Sequence, residues 1–106
     1  EQLRVHLQAV EEEAATDPLT GVLNRRALDR LLARETERCE VQGAMASVLA
    51  LDLDHFKAIN DSHGHAVGDA ALQAFTERVR GQLRQSDHLA RLGGEEFAVL
   101  LPSTDV

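Results

Sequence analysis

Two short stretches of the chain carry carboxylates where strands should end. In LDLDHFKAIND, residues 51–61, Asp52 and Asp54 follow a nearly continuous apolar run; in RLGGEEFAVL, residues 91–100, Glu95 and Glu96 follow two glycines. A plain hairpin favours Gly, Asn or Asp at its tip and has no use for adjacent glutamates. Carboxylates are hard oxygen donors suited to Mg²⁺, and two such cations between carboxylates and a triphosphate are an arrangement for phosphoryl or nucleotidyl transfer. If the hairpin pairs beside the strand ending at Asp52, then Asp52 and a glutamate of the tip converge.

Other readings of the same residues stay open at this level. An isolated D-x-D at a strand end serves more often as a solvated turn or helix cap than as a metal site. It is not an EF-hand, because Phe56 and Lys57 stand where that loop needs an oxygen ligand and a glycine. His63 and His65 lack the cysteine or further histidine that would complete a zinc set, which favours a structural role. No G-x-x-x-x-G-K-[ST] occurs, so the standard phosphate-binding loop is excluded. Arg25 and Arg26 read most simply as a helix surface.

The elements that must position these residues follow from periodicity. Residues 46–53, ASVLALDL, have the length and apolar continuity of a central strand covered on both faces, and open sheets bind ligands beyond the carboxyl ends of such strands. Residues 66–86 return to helical spacing, with Val67, Ala71, Leu72, Phe75, Val79 and Leu83 on one side. HLARLG and EFAVLL flank the glycines as a β-hairpin. Upstream, Asn24 is placed to cap a helix in which Leu28, Leu31 and Leu32 line one face up to about Cys39. DPLTG, residues 17–21, is a turn. Residues 1–15 carry Leu3, Leu7, Val10 and Ala14 as a narrow helical stripe, which suits either a solvated helix on its own domain or a coiled-coil linker from an upstream module. The order helix, helix, strand, helix, strand, strand indicates an α/β or α+β domain with helices covering a sheet.

Composition narrows the function classes. The chain has 106 residues, 43% of them apolar, and no internal repeat, as expected for one small globular domain. Cys39 is the sole cysteine, so an internal disulfide is excluded, and the composition suits a reducing, cytoplasmic compartment. No secretory signal and no bilayer-length apolar run is present, so no membrane contact is expected from this segment. A formal charge of −7 argues against a broad nucleic-acid surface. A phosphorylated ligand would need metal ions, backbone amides or a few placed cations.

The segments DPLTGVLNRRAL, LDLDHFKAINDSHGHAVGDAAL and RLGGEEFAVLLP, in this order and at these separations, resemble the GGDEF family of bacterial diguanylate cyclases. The resemblance runs from about Asp17 to Pro102. It implies condensation of two GTP molecules into cyclic di-GMP with release of two pyrophosphates, a palm-like central sheet wrapped by helices, and a catalytic homodimer. The family domain continues past the hairpin, so residues 16–106 would be its amino-terminal part, with residues 1–15 as signalling linker. The segment could then belong to a larger, membrane-anchored protein.

The resemblance also implies roles for individual residues. Asp52 and Glu95, helped by the Leu53 carbonyl, would ligate two Mg²⁺ or Mn²⁺ ions per active site, with Glu96 in support. Gly93 and Gly94 would let the backbone lie close to the nucleotide. Asn60 and Asp69 would read guanine, and the backbone around His55, Phe56 and Lys57 would meet the phosphates, with Lys57 adding charge. Arg84 and Asp87, in RQSD, stand where many members carry the R-x-x-D site at which cyclic di-GMP inhibits; without the family match they would read as a polar helix end. Two further functions fit the same fold: a non-catalytic module that binds GTP or cyclic di-GMP in signalling, and a structural adaptor dimerising through its first helix.

Overall fold

The structure, a computed structural model, describes residues 15–105. The helical stripe expected over residues 1–15 therefore lies, but for its last residue, outside the described part. The elements in chain order are β1 (Leu23–Asn24), α1 (Arg25–Gln42), β2 (Ala46–Asp52), α2 (Phe56–His63), α3 (His65–Arg80), β3 (His88–Gly93) and β4 (Glu96–Pro102). Four strands form one sheet in the order β1-β3-β4-β2, antiparallel except for the parallel β1–β3 pair. The domain is thus mixed α/β, as expected.

Strand periodicity divides the core between the two faces of this sheet. On β4, Phe97 and Val99 join Leu89, Val22 and Leu72, with Phe75, Val79 and Leu51 packed against them. Ala98 and Leu100 turn the other way and join Ala90 and Leu28, with Leu31 and Leu32 alongside. So α3 covers one face and α1 the other. Phe97 is fully buried and its ring lies 5.0 Å from that of Phe75 at 49°. The Leu28, Leu31, Leu32 stripe does what its spacing predicts, and Asn24 caps α1 by accepting from the Ala27 amide at 2.9 Å.

Two expectations need correction. ASVLALDL is not a central strand covered on both faces. Among the described residues β2 has a neighbour, β4, on one side only, and Val48 and Leu49 are 53% and 39% exposed. The reason is where the first helix lies: α1 packs over β3 and β1 and leaves β2 largely uncovered. The helix expected over residues 66–86 ends at Arg80. Beyond it the Gln82 and Leu83 amides bond three residues back, to Val79 and Arg80, and the Asp87 carboxylate takes the Arg84 amide at 2.8 Å, a side-chain bond that competes with helix continuation. Leu83 still packs on the core from this turn, whereas Val67 is 46% exposed and off the buried stripe.

Candidate active site

The hairpin β3–β4 pairs beside β2 so that Asp52 lies directly opposite Glu96. Opposed residues on antiparallel strands share a face, so these two carboxylates do too. One step further, the Leu53 amide donates to the Glu95 carbonyl at 3.2 Å, tying the carboxyl end of β2 to the hairpin tip. The strand stops at Asp52; Asp54 lies in the following turn and does not share its ladder.

Gly93 pairs with Glu96, leaving Gly94 and Glu95 as the loop. Gly94 has φ of +49°, a conformation that favours glycine at the first position of a two-residue hairpin loop. Gly93 has no such requirement, and a Cβ there would meet no protein atom within 4 Å. The protein's own packing gives no reason for a glycine at 93.

Among the described residues no three His, Cys, Asp or Glu side chains come together as a metal cage. The donors that the family resemblance nominates at this junction are the Asp52 and Glu95 carboxylates and the Leu53 carbonyl; the ladder itself sets Asp52 opposite Glu96, and Glu95 is tied to Leu53 through its main chain. All are hard oxygen donors, and neither carboxylate is held in an ion pair among the described residues. That set fits Mg²⁺, which is usually held by one or two carboxylates together with water and substrate phosphates rather than by a cage of protein ligands.

Immediately after β2, His55 takes the left-handed conformation, φ 60°, and α2 begins with no side-chain cap. The first helical bond runs from the Ile59 amide to the His55 carbonyl, so the amides of Phe56 and Lys57 precede the helical ladder. Uncapped amides at a helix start favour anions. Lys57 is exposed beside them.

Asn60, on α2, lies against Gly68 of α3, the residue before Asp69. Its Oδ1 is buried and has no hydrogen-bond partner. The α2–α3 corner thus brings the neighbourhood of Asp69 to Asn60. Sequence patterns missed both α2 and the part played by Gly68.

Arg84 and Asp87 come together in the loop after α3. Arg84 Nη2 lies 2.9 Å from Asp87 Oδ1 and also reaches the Pro102 carbonyl at 3.2 Å and Thr104 Oγ1 at 2.5 Å. The Asp87 side chain is only 3% exposed and that of Arg84 is 55% exposed. The bond from Arg84 holds the Asp87 carboxyl below its ordinary pKa, more than offsetting the rise from burial. Both residues line a cleft of about 270 Å³ with Arg80 and His88. A cleft of about 470 Å³ between α1 and β2, lined by Leu32, Cys39 and Met45, contains none of the candidate residues.

A further contact escaped the sequence patterns. Arg91 donates through Nε to the Gly94 carbonyl at 3.0 Å and through Nη1 to Asp17 at 3.3 Å, joining the DPLTG turn to the hairpin tip. Asp17 also accepts from the Thr20 amide at 3.0 Å and hydroxyl at 2.7 Å. Burial raises its pKa, but the Thr20 bonds and the Arg91 charge more than offset this and leave it lowered. A lowered folded pKa means stability that is present above the unfolded pKa and lost as pH falls through the folded one. Asp17→Asn should therefore cost about 1 kcal/mol at pH 7 and flatten the decline in Tm below about pH 4. Parallel Tm-against-pH curves for the two proteins would remove Asp17 from that decline.

Residues 14–106 match the family model of the diguanylate cyclase GGDEF domain. The chain is 48% identical over 101 residues to diguanylate cyclase DgcP of Pseudomonas aeruginosa, covering 95% of this chain and 15% of DgcP. It is also 45% identical over 96 residues to the cyclic di-GMP phosphodiesterase NbdA of the same species, covering 91% of this chain and 12% of NbdA. The crystal structure of the coiled coil and GGDEF domain of DgcB from Caulobacter crescentus, in complex with c-di-GMP, superimposes with a TM-score of 0.90 at 35% identity, covering 99% of this chain and 55% of that one. The chain thus spans a small part of the curated relatives' length and about half of the DgcB structure. The family model takes in every described residue, the motif-bearing β2 end and hairpin tip among them, and on that ground the chain belongs to the GGDEF family of diguanylate cyclase domains.

Proposed function

We propose that this domain is the catalytic part of a diguanylate cyclase, condensing two GTP into cyclic di-GMP with release of two pyrophosphates. The observation that carries the proposal is the junction at the end of β2, where Asp52 faces Glu96, Leu53 is bonded to Glu95, and the uncapped start of α2 follows within a few residues. Oxygen donors and anion-seeking amides side by side suit a nucleoside triphosphate and its cations. Asp52, Glu95 and the Leu53 carbonyl would hold two Mg²⁺ or Mn²⁺ ions, which when bound supply charge neutralisation at the phosphates. Amides of His55, Phe56 and Lys57 would receive phosphate oxygens. Gly93, which the fold leaves open, would admit the nucleotide against the backbone. Asn60 and Asp69 would read guanine.

In each of two steps the 3′-oxygen of one GTP would bond to the α-phosphorus of the other, the bond to pyrophosphate would break, and the hydroxyl proton would leave to a base, a role in which Glu95 would assist. One domain holding one GTP cannot close the ring, so two copies must face each other across a two-fold axis. GTP as substrate suits the cytoplasm. Among the described residues no helix is long and apolar enough to cross a membrane. The test is incubation of the full chain with GTP and Mg²⁺ and chromatography for cyclic di-GMP and pyrophosphate. Tight GTP binding without product would instead support a non-catalytic nucleotide-binding module, which the likeness to a protein named as a phosphodiesterase favours as second reading.

Product inhibition at Arg84 and Asp87 belongs to the same proposal. Arg84 already uses its fork on Asp87 and Thr104, so a guanine or phosphate must compete for it. Arg84→Ala should raise the cyclic di-GMP concentration that halves the rate at least about tenfold, since hydrogen bonds to charged groups are worth roughly 1.5–3 kcal/mol, and should leave the initial rate near normal. The measurement is initial rate against added cyclic di-GMP; superimposable curves would sink the regulatory assignment.

A further inference from the structure

Gly68 is buried in the first turn of α3 and carries no positive φ. Glycine in a helix is less favourable than alanine, and nothing in the backbone here requires it. The space above it gives the reason. An ideal Cβ at Gly68 would fall on Asn60 Oδ1 and lie 2.8 Å from Asn60 Cγ. The Asn60 amide therefore occupies the volume that an alanine methyl would need. The main chain reinforces the seat: the Gly64 amide donates to the Asn60 carbonyl at 2.8 Å, and the Gly68 amide donates to the Gly64 carbonyl at 3.1 Å. Asn60 and Gly68 are thus two linked hydrogen bonds apart through the α2–α3 corner.

We propose that Gly68 is a positioning residue for base recognition, its missing side chain being the seat that holds the Asn60 amide where a purine edge can meet it. This rests on the reading of Asn60 as a base-reading residue. The amide is the far end of a short side chain, so a methyl at 68 would displace it by a change of rotamer rather than break the core. The unpartnered, buried Oδ1 marks the same atom as awaiting a donor, since a buried acceptor left unmatched is costly. Gly68 touches no nucleotide itself; it acts through Asn60.

The test uses the full chain and two probes, GDP and ADP, which carry the base but cannot release pyrophosphate. Wild type, Asn60→Ala, Gly68→Ala and the double variant are titrated with both. Asn60→Ala should weaken GDP about tenfold and ADP hardly at all, the size expected for one stranded polar partner. Gly68→Ala should do nearly the same, and the double variant should be no worse than Asn60→Ala alone, because the clash has gone. A selective loss in Asn60→Ala with none in Gly68→Ala overturns the seat and leaves base reading intact. Losses that add in the double variant mean that Gly68 acts independently of Asn60, which also overturns it. An equal fold-loss for GDP and ADP in Asn60→Ala overturns base reading, and the proposal with it. Should Gly68→Ala fold poorly, the double variant must recover the wild-type Tm; if it does not, the methyl strikes something other than Asn60 and the proposal fails.

Discussion

Replacing Glu95 by glutamine is expected to lower turnover of the full chain by more than about a hundredfold, beyond the range seen when groups that merely support metal ligands are lost. The substitution keeps the shape of the side chain and removes its charge. Glu95 stands in the two-residue loop, and its main-chain carbonyl, which accepts from the Leu53 amide, is untouched by the change, so the tip should remain attached to β2. The Tm should accordingly stay close to wild type. A kcat within a few fold of wild type would take Glu95 out of the chemistry, and a large fall in Tm would show that its charge serves the fold instead. The loss should fall on kcat and kcat/KM together if the carboxylate acts only as the phosphorus is attacked, and on KM if it acts mainly in holding the triphosphate.

GTP selectivity is expected to collapse in Asn60→Ala and Asp69→Ala. Each should weaken GTP binding by roughly 1–3 kcal/mol while barely altering ATP binding, because only guanine presents the donors and acceptor that this amide and carboxylate match. Asn60 has the stronger structural support, since its Oδ1 is already buried without a partner and carries a desolvation cost that a ligand donor would relieve. Titration with both nucleotides decides the matter. Equal weakening of GTP and ATP would mean that the two residues shape the pocket without reading the base.

Sequence alone disclosed the features that depend on neighbours along the chain. Asn24 as cap, the leucine face of α1 and the hairpin around Gly93 and Gly94 follow from local periodicity and turn chemistry, and the structure has all three. What stayed hidden depends on contacts distant in sequence. Two-residue β1 exists only because it pairs with β3. Helix α2 follows directly on a left-handed histidine, a conformation that no pattern announces, and is separated from α3 by Gly64 alone. The apolar content of β2 suggested cover on both faces, but cover depends on which strands a helix crosses. Gly68 in a helical stretch reads as a mild defect until Asn60 is seen in its place. The carboxylates of the site were legible as types and spacing; their pairing across β2 and β4 required the register, and their chemistry drew on the family resemblance.

The outer edge of β2 has a practical consequence for handling the protein. Among the described residues the outer side of β2 has no strand partner and exposes Val48 and Leu49, and such an edge invites another chain to add to it, the geometry by which sheets grow into aggregates. This edge carries no lysine, proline or bulge of the kind that protects natural edges; the run from Ala46 to Leu51 is uncharged throughout. A protein of only these 106 residues should therefore lose solubility as it is concentrated, through pairing of β2 with β2 rather than through unfolding. A single lysine in place of the exposed Val48 should keep it in solution.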